Sequence, residues 1–178
     1  MIKKYWISLL IVVGIIFSST NEVKATHAMG VDLTYICLGN GQYAITVSFY
    51  RDCSGISAPP DADVTLTSSC STFTVTLPQV SFQEISSLCP TAVSTCQGGS
   101  EPGAEQYIYT DTVTLPPCAD WTFWYTECCR NPLITNLTSP GSQQMYVEAT
   151  LDNTGPNCNS SPIFTTLPVP YICVNQPY

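Results

Sequence analysis

Ten cysteines in a chain of 178 residues constrain the fold more than any other feature. An even set of this size indicates a disulfide framework when the chain is exported to an oxidising compartment. Connectivity does not follow from the count, because ten cysteines allow roughly 945 pairings by the counting that gives 105 for eight. The cysteines are Cys37, Cys53, Cys70, Cys89, Cys96, Cys118, Cys128, Cys129, Cys158 and Cys173.

The start of the chain indicates export. Residues 1–25 combine a positively charged start, an apolar run over residues 7–17 and a polar stretch that ends in Ala25, as secretory signal peptides do. The run is too short to span about 30 Å of hydrocarbon, so a transmembrane anchor is the less favoured interpretation. We predict cleavage before Thr26, export through the Sec pathway and a single mature domain, residues 26–178, that does not insert into membranes.

The charge of the mature chain excludes several classes of partner. Cleavage removes three lysines and one glutamate from five basic and 13 acidic side chains, which leaves Arg51 and Arg130 against twelve carboxylates, a net charge of −10. Such a surface repels phosphate groups, so we expect neither nucleic acid nor anionic membranes as partners.

Alternating apolar and polar residues predict strands along the mature chain. The clearest hairpin turns at Asn40-Gly41 and continues into residues 42–50, with Tyr43, Ile45, Val47 and Phe49 predicted to face inward. Residues 118–131 predict a central strand with Trp121, Phe123 and Tyr125 on one face and Trp124 on the other. Further extended segments are predicted at residues 31–37, 64–67, 73–77, 80–85, 106–115, 145–151, 163–167 and 169–174.

These segments together predict the fold class. No segment keeps a helical period for more than one turn, and turn residues recur at a spacing of about 8–12 residues. We therefore predict an all-β, disulfide-stapled antiparallel β-sandwich, Ig-like or jelly-roll-like, with about nine strands.

Catalytic chemistry has little support in the residue pattern. His27 is the single histidine and, like Thr26, would lie at the mobile mature terminus. A Ser-His-Asp or Cys-His site needs that histidine held against a nucleophile. One histidine without a C-x-x-C pair also makes a zinc site unfavourable. We predict that the protein is not an enzyme, and a secreted hydrolase remains the second alternative.

Two other kinds of site remain open. Asp61 and Asp63, and separately Asp152, Asn153 and Asn157, offer hard oxygen ligands that suit Ca²⁺. Because Asp and Asn are also ordinary turn residues, we favour no cofactor and keep calcium as an alternative.

Aromatic side chains offer a second candidate site. Trp124, Tyr107 and Tyr109 would form a stacking platform for a sugar if they were exposed, whereas aromatics in central strands are more often buried.

Loop spacing and strand phase each suggest one disulfide pairing. Cys89 and Cys96 are separated by six residues in a long loop, so we predict that they pair. Strand phase predicts a bridge between Cys53 and Cys129, and a local bridge from Cys53 to Cys70 is its rival.

Adjacent cysteines and nearby charges complete these expectations. Cys128 and Cys129 are expected to point to opposite faces rather than to bridge each other. Around the bridge to Cys129, Arg51 and Arg130 are expected to pair with Glu127 and Asp52 in a polar cap.

Several ordered motifs resemble the amino-terminal region of large secreted bacterial surface proteins. The resemblance covers essentially the whole mature chain. Such proteins continue into PKD or other Ig-like repeats and often end in a gliding-motility-associated domain that directs type IX secretion. The motifs are Thr26-His-Ala-Met-Gly30, Phe49-Tyr-Arg-Asp-Cys53, Val113-Thr-Leu-Pro-Pro-Cys118, Cys128-Cys-Arg-Asn131 and Pro168-Val-Pro-Tyr-Ile-Cys-Val-Asn-Gln-Pro177.

The resemblance implies cell-surface display and a structural or adhesive role, and it supplies no catalytic residues. Its implied partners are other domains of a longer surface protein, or extracellular glycans and proteins.

The chain stops at Tyr178 without repeats or a sorting domain, so it is either a fragment of a longer protein or a stand-alone version. The first alternative function is a carbohydrate-binding module of an exported enzyme.

Overall fold

Seven antiparallel strands carry most of the regular structure in the computed structural model, which describes residues 27–86, 89 and 91–168. The predicted signal peptide and the predicted strand at residues 169–174 lie outside the described residues. Short 3-10 turns lie at Thr95–Gln97 and Pro140–Ser142. The strands are β1 (Ala28–Gly39), β2 (Gln42–Asp52), β3 (Asp61–Thr67), β4 (Thr72–Glu84), β5 (Ala104–Thr114), β6 (Trp121–Cys128) and β7 (Gln144–Leu151).

All seven strands belong to one hydrogen-bonded sheet in the order β1-β2-β5-β4-β3-β6-β7. The sheet is nearly closed: its two edge strands approach each other, and the Tyr35 hydroxyl on β1 donates a hydrogen bond of 2.7 Å to the Thr150 carbonyl on β7. The prediction of an all-β, antiparallel, disulfide-stapled fold is confirmed.

The first hairpin forms at the predicted turn. Asn40 and Gly41 have φ values of 52° and 73°, the left-handed conformation that a tight hairpin turn requires. A side chain at Gly41 would also come within 3.0 Å of the Leu115 carbonyl, so glycine meets two requirements there. The predicted phase of β2 is confirmed, because Tyr43, Ile45, Val47 and Phe49 are all buried.

β4 joins the two halves of the sheet. Its first part, up to Pro78, pairs with β3, and its second part, from Gln79 to Glu84, pairs with β5. A shift of register between Gln79 and Ser81 marks the change of partner. The sequence predicts two separate segments here, residues 73–77 and 80–85, whereas the structure continues through Pro78 as one strand.

The strand count therefore differs from the predicted nine. Residues 73–77 and 80–85 fall in one strand, and residues 163–167 form no strand. The described residues contain seven strands.

The core lies between the inward faces of both halves of the sheet. Tyr35 on β1 packs edge-to-face on Phe123 of β6, with ring centroids 5.2 Å apart. The predicted phase of β6 is confirmed, because Trp121 and Phe123 are fully buried and Tyr125 is nearly so. Burial of each large side chain of this kind stabilises the fold by about 1.5–3 kcal/mol.

Disulfides connect segments that are distant in sequence. Cys89 is also disulfide-bonded, so no described cysteine is a free thiol. The bridges within the described part are Cys37–Cys158, Cys53–Cys96, Cys70–Cys118 and Cys128–Cys129.

The predicted pairings were wrong. Cys53 bonds to Cys96, which excludes its predicted bridges to Cys129 and Cys70 and the predicted bridge between Cys89 and Cys96. The phase argument failed because β2 ends at Asp52 and the chain turns, so that Cys53 no longer follows the strand alternation. The Cys53 amide instead donates to the Gly103 carbonyl, in the loop that also carries Cys96.

The adjacent cysteines also differ from the prediction. Cys128 and Cys129 bridge each other across a cis peptide bond. β6 ends at Cys128, so strand geometry does not hold Cys129 on the opposite face.

Polar side chains at the ends of β2 and β6 have partners other than those of the predicted arginine cap. Arg51 pairs with Glu105, with 3.2 Å between Nε and Oε2, although the Nε hydrogen is not aligned for a hydrogen bond. Arg130 donates from Nε to the Gln144 carbonyl. Asp52, which is 2% exposed, accepts a hydrogen bond of 2.8 Å from the Asn131 amide.

Loop length predicts unequal contributions of the bridges to stability. Removing Cys37–Cys158, with a sequence separation of 121, by a double alanine substitution should lower the free energy of unfolding by about 4–5 kcal/mol. Removing Cys128–Cys129 in the same way should cost about 1 kcal/mol, because the closed loop is minimal. Urea unfolding of both variants measures the difference, and equal losses would contradict this account.

The buried carboxylate of Asp52 predicts a dependence of stability on pH. Burial raises the pKa of Asp52, but hydrogen bonds from Ser54 and Asn131 outweigh it and hold the pKa below its ordinary value of 3.8. The ionised group therefore stabilises the fold at neutral pH, and that stabilisation is lost as the pH falls through the pKa of the folded state. Asp52→Asn should cost about 1–3 kcal/mol at pH 7.

The cost of Asp52→Asn should shrink in acid, which unfolding at pH 7 and pH 2.5 measures. Asp61→Asn, at an exposed position of β3, is the matched control and should change stability little. A cost for Asp52→Asn that is the same at both pH values would exclude the carboxylate as its source.

Candidate functional site

The alternation of β6 presents one tryptophan to the core and one to the outside. Trp121 is fully buried, and its indole nitrogen donates to the Pro116 carbonyl. Trp124 lies three residues later on the opposite face and is half-buried. Its indole nitrogen has no hydrogen-bond partner among the described residues.

The outer face around Trp124 is rich in hydroxyl groups. Strand register places Thr65 of β3 on one side of Trp124 and Glu148 of β7 on the other. Because the inward positions of β3, β4, β6 and β7 are apolar, the alternate positions bring polar side chains to this face. Its threonines are Thr65, Thr67, Thr72, Thr74, Thr76, Thr122, Thr126 and Thr150.

Trp124, Tyr146 and Glu148 form a contiguous group that we call the aromatic platform. The rings of Trp124 and Tyr146 lie within 27° of parallel, with centroids 6.3 Å apart. Tyr146 is 55% exposed, and its hydroxyl donates a hydrogen bond of 2.6 Å to Oε2 of Glu148. That hydrogen bond, with smaller effects of burial and of the carboxylate charge, raises the pKa of Tyr146.

A cleft adjoins the aromatic platform between β1 and β7. Glu148 belongs to both, and the chain segment 159–162 crosses one side of the opening. The Ser161 amide donates a hydrogen bond of 3.0 Å to the Tyr35 carbonyl, and Cys37–Cys158 anchors the same segment to β1. This β1–β7 cleft has a volume of about 490 Å³ and is lined by Leu33, Tyr35, Glu148, Ala149, Thr150, Asn159, Ser160, Ser161 and Pro162.

The three aromatic residues proposed from the sequence do not share one surface. Tyr109 is fully buried, its hydroxyl donates to the Pro59 carbonyl, and burial raises its pKa well above the usual value. Tyr107 lies on the inward side of β5 and stacks on Phe82, with centroids 5.6 Å apart. Of the three, only Trp124 belongs to the aromatic platform.

Tyr146 and Glu148 were missed by sequence reasoning. The inward phase of Met145, Val147 and Ala149 already implied that the alternate residues face outward. Their place beside Trp124 depends on the register between β6 and β7, which no local pattern specifies.

Three of the oxygen ligands proposed for calcium, namely those of Asp63, Asp152 and Asn153, accept hydrogen bonds within the protein. Asp63 accepts a hydrogen bond from Thr76, and Asp61 lies on the same strand rather than in a loop. Asp152 accepts from the backbone and hydroxyl of Thr154, and these hydrogen bonds lower its pKa. Asn153 accepts from the Cys118 amide.

Other metal-ligand groups are built on disulfides. Among the described residues, the groups of three ligating side chains are Cys53, Cys96 and Glu105, and Cys70, Cys118 and Asp120. The cysteines of each group bridge each other, so their sulfurs are not available as thiolates.

His27 packs closely against the turn after β2. A side chain at Gly55 would come within 2.7 Å of the His27 ring, and the buried Nδ1 atom has no hydrogen-bond partner among the described residues.

Comparisons with known proteins found no matching family model, curated protein or solved structure. Within the described ranges, no helix has the length and apolar character needed to cross a membrane.

The opposite orientations of the two tryptophans predict unequal effects of substitution. Trp121→Ala should lower the free energy of unfolding by about 3–5 kcal/mol, because it empties a buried site. Trp124→Ala should cost about 1 kcal/mol, because it removes the contact with Tyr146 and leaves the core intact. Urea unfolding tests both values, and a loss for Trp124→Ala as large as that for Trp121→Ala would place Trp124 in the core.

Proposed function

We propose that the protein is a secreted structural or adhesive module of the cell surface, without catalytic activity. The observation that carries this proposal is the set of disulfides that joins distant parts of the domain, such as Cys37–Cys158 and Cys70–Cys118. Disulfides in this number persist in oxidising, extracellular environments. The aromatic platform supports an interaction role, because it gives the domain a polar and aromatic contact surface outside its core.

The sequence motifs supply the proposed setting. The signal peptide of residues 1–25 would direct export, and the resemblance to surface proteins with PKD or Ig-like repeats would place the domain beside other domains of a longer chain. Gliding-motility-associated type IX secretion is part of the same proposal. Extracellular glycans and proteins are the proposed external partners.

We also propose that the fold is sandwich-like, of the Ig-like or jelly-roll-like kind. The inward faces of β1, β2 and β5 and those of β3, β6 and β7 contribute to one core, and β4 takes part in both halves. This arrangement supports two facing layers connected through a shared strand.

A carbohydrate-binding module of an exported enzyme is a second candidate. The aromatic platform favours it, because the exposed ring of Tyr146 and the half-buried ring of Trp124 beside a carboxylate suit sugar recognition. A hydrolase in its own right would depend on His27, and loss of hydrolysis on His27→Ala would support that alternative.

Export provides the direct test of the proposal. Expression of the full chain in a bacterial host that makes disulfides outside the cytoplasm should give a product that begins at Thr26, lies outside the cytoplasmic membrane and contains no reactive thiol. Mass spectrometry after thiol labelling of each cell fraction measures all three properties.

The control variant carries Leu9→Arg and Leu10→Arg, which interrupt the apolar run of the signal and should retain the chain inside in reduced form. A wild-type product that stays unprocessed in the cytoplasm, with most thiols labelled, would contradict the proposal.

A further inference from the structure

We propose that the aromatic platform and the β1–β7 cleft form a binding site for a neutral carbohydrate built of pyranose units. This inference rests on the proposed function as an interaction module and names the chemical class of its ligand. Three independent features of the described residues support it: the paired rings, the unused polar atoms beside them and the charge of the domain.

The paired rings suit the apolar face of a pyranose. Sugar C–H groups carry partial positive charge and pack on the negative face of an aromatic ring. Trp124 and Tyr146 occupy diagonal positions on neighbouring strands, with ring planes within 27° of parallel, so together they present more aromatic surface than either ring alone. Strands on both sides hold Trp124, which limits the entropy lost on binding.

Unused polar atoms lie beside the rings. Within the described part of the chain, neither the indole nitrogen of Trp124 nor Oε1 of Glu148 has a hydrogen-bond partner, because only Oε2 of Glu148 accepts from Tyr146. Sugar hydroxyl groups both donate and accept, so one sugar unit can use both atoms. A few well-placed polar groups within a largely apolar contact are typical of specific ligand sites.

The β1–β7 cleft extends the site beyond one sugar unit. It begins at Glu148 and continues to Asn159 and Ser160. The Ser160 hydroxyl accepts from the Cys37 amide and can still donate its own hydrogen to a ligand. A volume of about 490 Å³ lies within the range of small-ligand pockets.

The negative net charge of the mature chain favours neutral sugars over acidic ones as ligands. Arg51 is buried and paired with Glu105, and Arg130 is the other arginine of the described residues. A mature chain with twelve carboxylates and two arginines would repel uronic acids and sulfated sugars.

Affinity electrophoresis of the purified, oxidised full-length mature chain tests the proposal. The gels contain a neutral polysaccharide, namely a glucan, a mannan, a galactan or a xylan, or one of two polyanions, alginate and heparin. We expect at least one neutral polysaccharide to retard the protein and neither polyanion to do so. Trp124→Ala and Glu148→Gln should weaken that retardation at least ten-fold, and Tyr146→Phe should preserve most of it.

Phe82→Ala is the matched control. Phe82 is 63% exposed and stacks on Tyr107, away from the aromatic platform, so its removal should leave retardation unchanged. Urea unfolding of each variant separates loss of binding from loss of folding.

Several outcomes would overturn the inference. These are no retardation by any neutral polysaccharide, retardation by the polyanions alone, or equal weakening by Trp124→Ala and Phe82→Ala. An exported, fully oxidised protein that binds none of the polysaccharides would refute the carbohydrate site while leaving the proposed surface location intact.

Discussion

The structure depends on one strand that pairs with two different neighbours. β4 forms hydrogen bonds with β3 up to Pro78 and with β5 from Gln79 onward, so it is the connection through which the backbone ladder continues from one half of the sheet to the other. The other contacts between the two halves are side-chain packing such as that of Tyr35 on Phe123, the hydrogen bond between β1 and β7, and the backbone hydrogen bonds that Ala28 makes with Cys129 and Asn131. The shared core therefore follows from the ability of β4 to change partners at a shift of register.

The disulfides attach segments of the chain that the hydrogen bonds of the sheet do not hold. Cys37–Cys158 secures the segment that crosses the β1–β7 cleft, and Cys53–Cys96 attaches the long loop to the end of β2. Cys70–Cys118 joins the turn between β3 and β4 to the approach to β6. Bridges of this kind restrict the unfolded chain in regions where few strand hydrogen bonds can act. The same cross-links keep the edge of the proposed binding site in place, because the segment that lines the cleft begins next to Cys158.

Local patterns predicted the parts of the fold that depend on local geometry. The turn at Asn40-Gly41 and the inward residues of β2 and β6 follow from positive φ and from the two-residue period of a strand. The continuity of β4 could not be predicted, because proline normally ends a strand and pairing on both sides is a property of the whole sheet. The predicted disulfide connectivity was wrong for a related reason. Cys53 lies just past the end of β2, the strand whose alternation was used to predict the direction of its side chain. The proposed binding site was predictable in part: the sequence singled out Trp124, whereas the place of Tyr146 and Glu148 beside it depends on the register of β6 against β7.

Nuclear magnetic resonance of the two indole N–H groups of the mature chain tests the central claim most directly. Trp121 donates its indole hydrogen to the Pro116 carbonyl inside the core, whereas the indole nitrogen of Trp124, on the outer face, has no hydrogen-bond partner among the residues that the structure describes. Titration with a neutral polysaccharide that retards the protein should shift the indole resonance of Trp124 progressively and leave that of Trp121 unchanged. Equal shifts of both resonances, or no shift of Trp124, would contradict the assignment of this face as the binding surface.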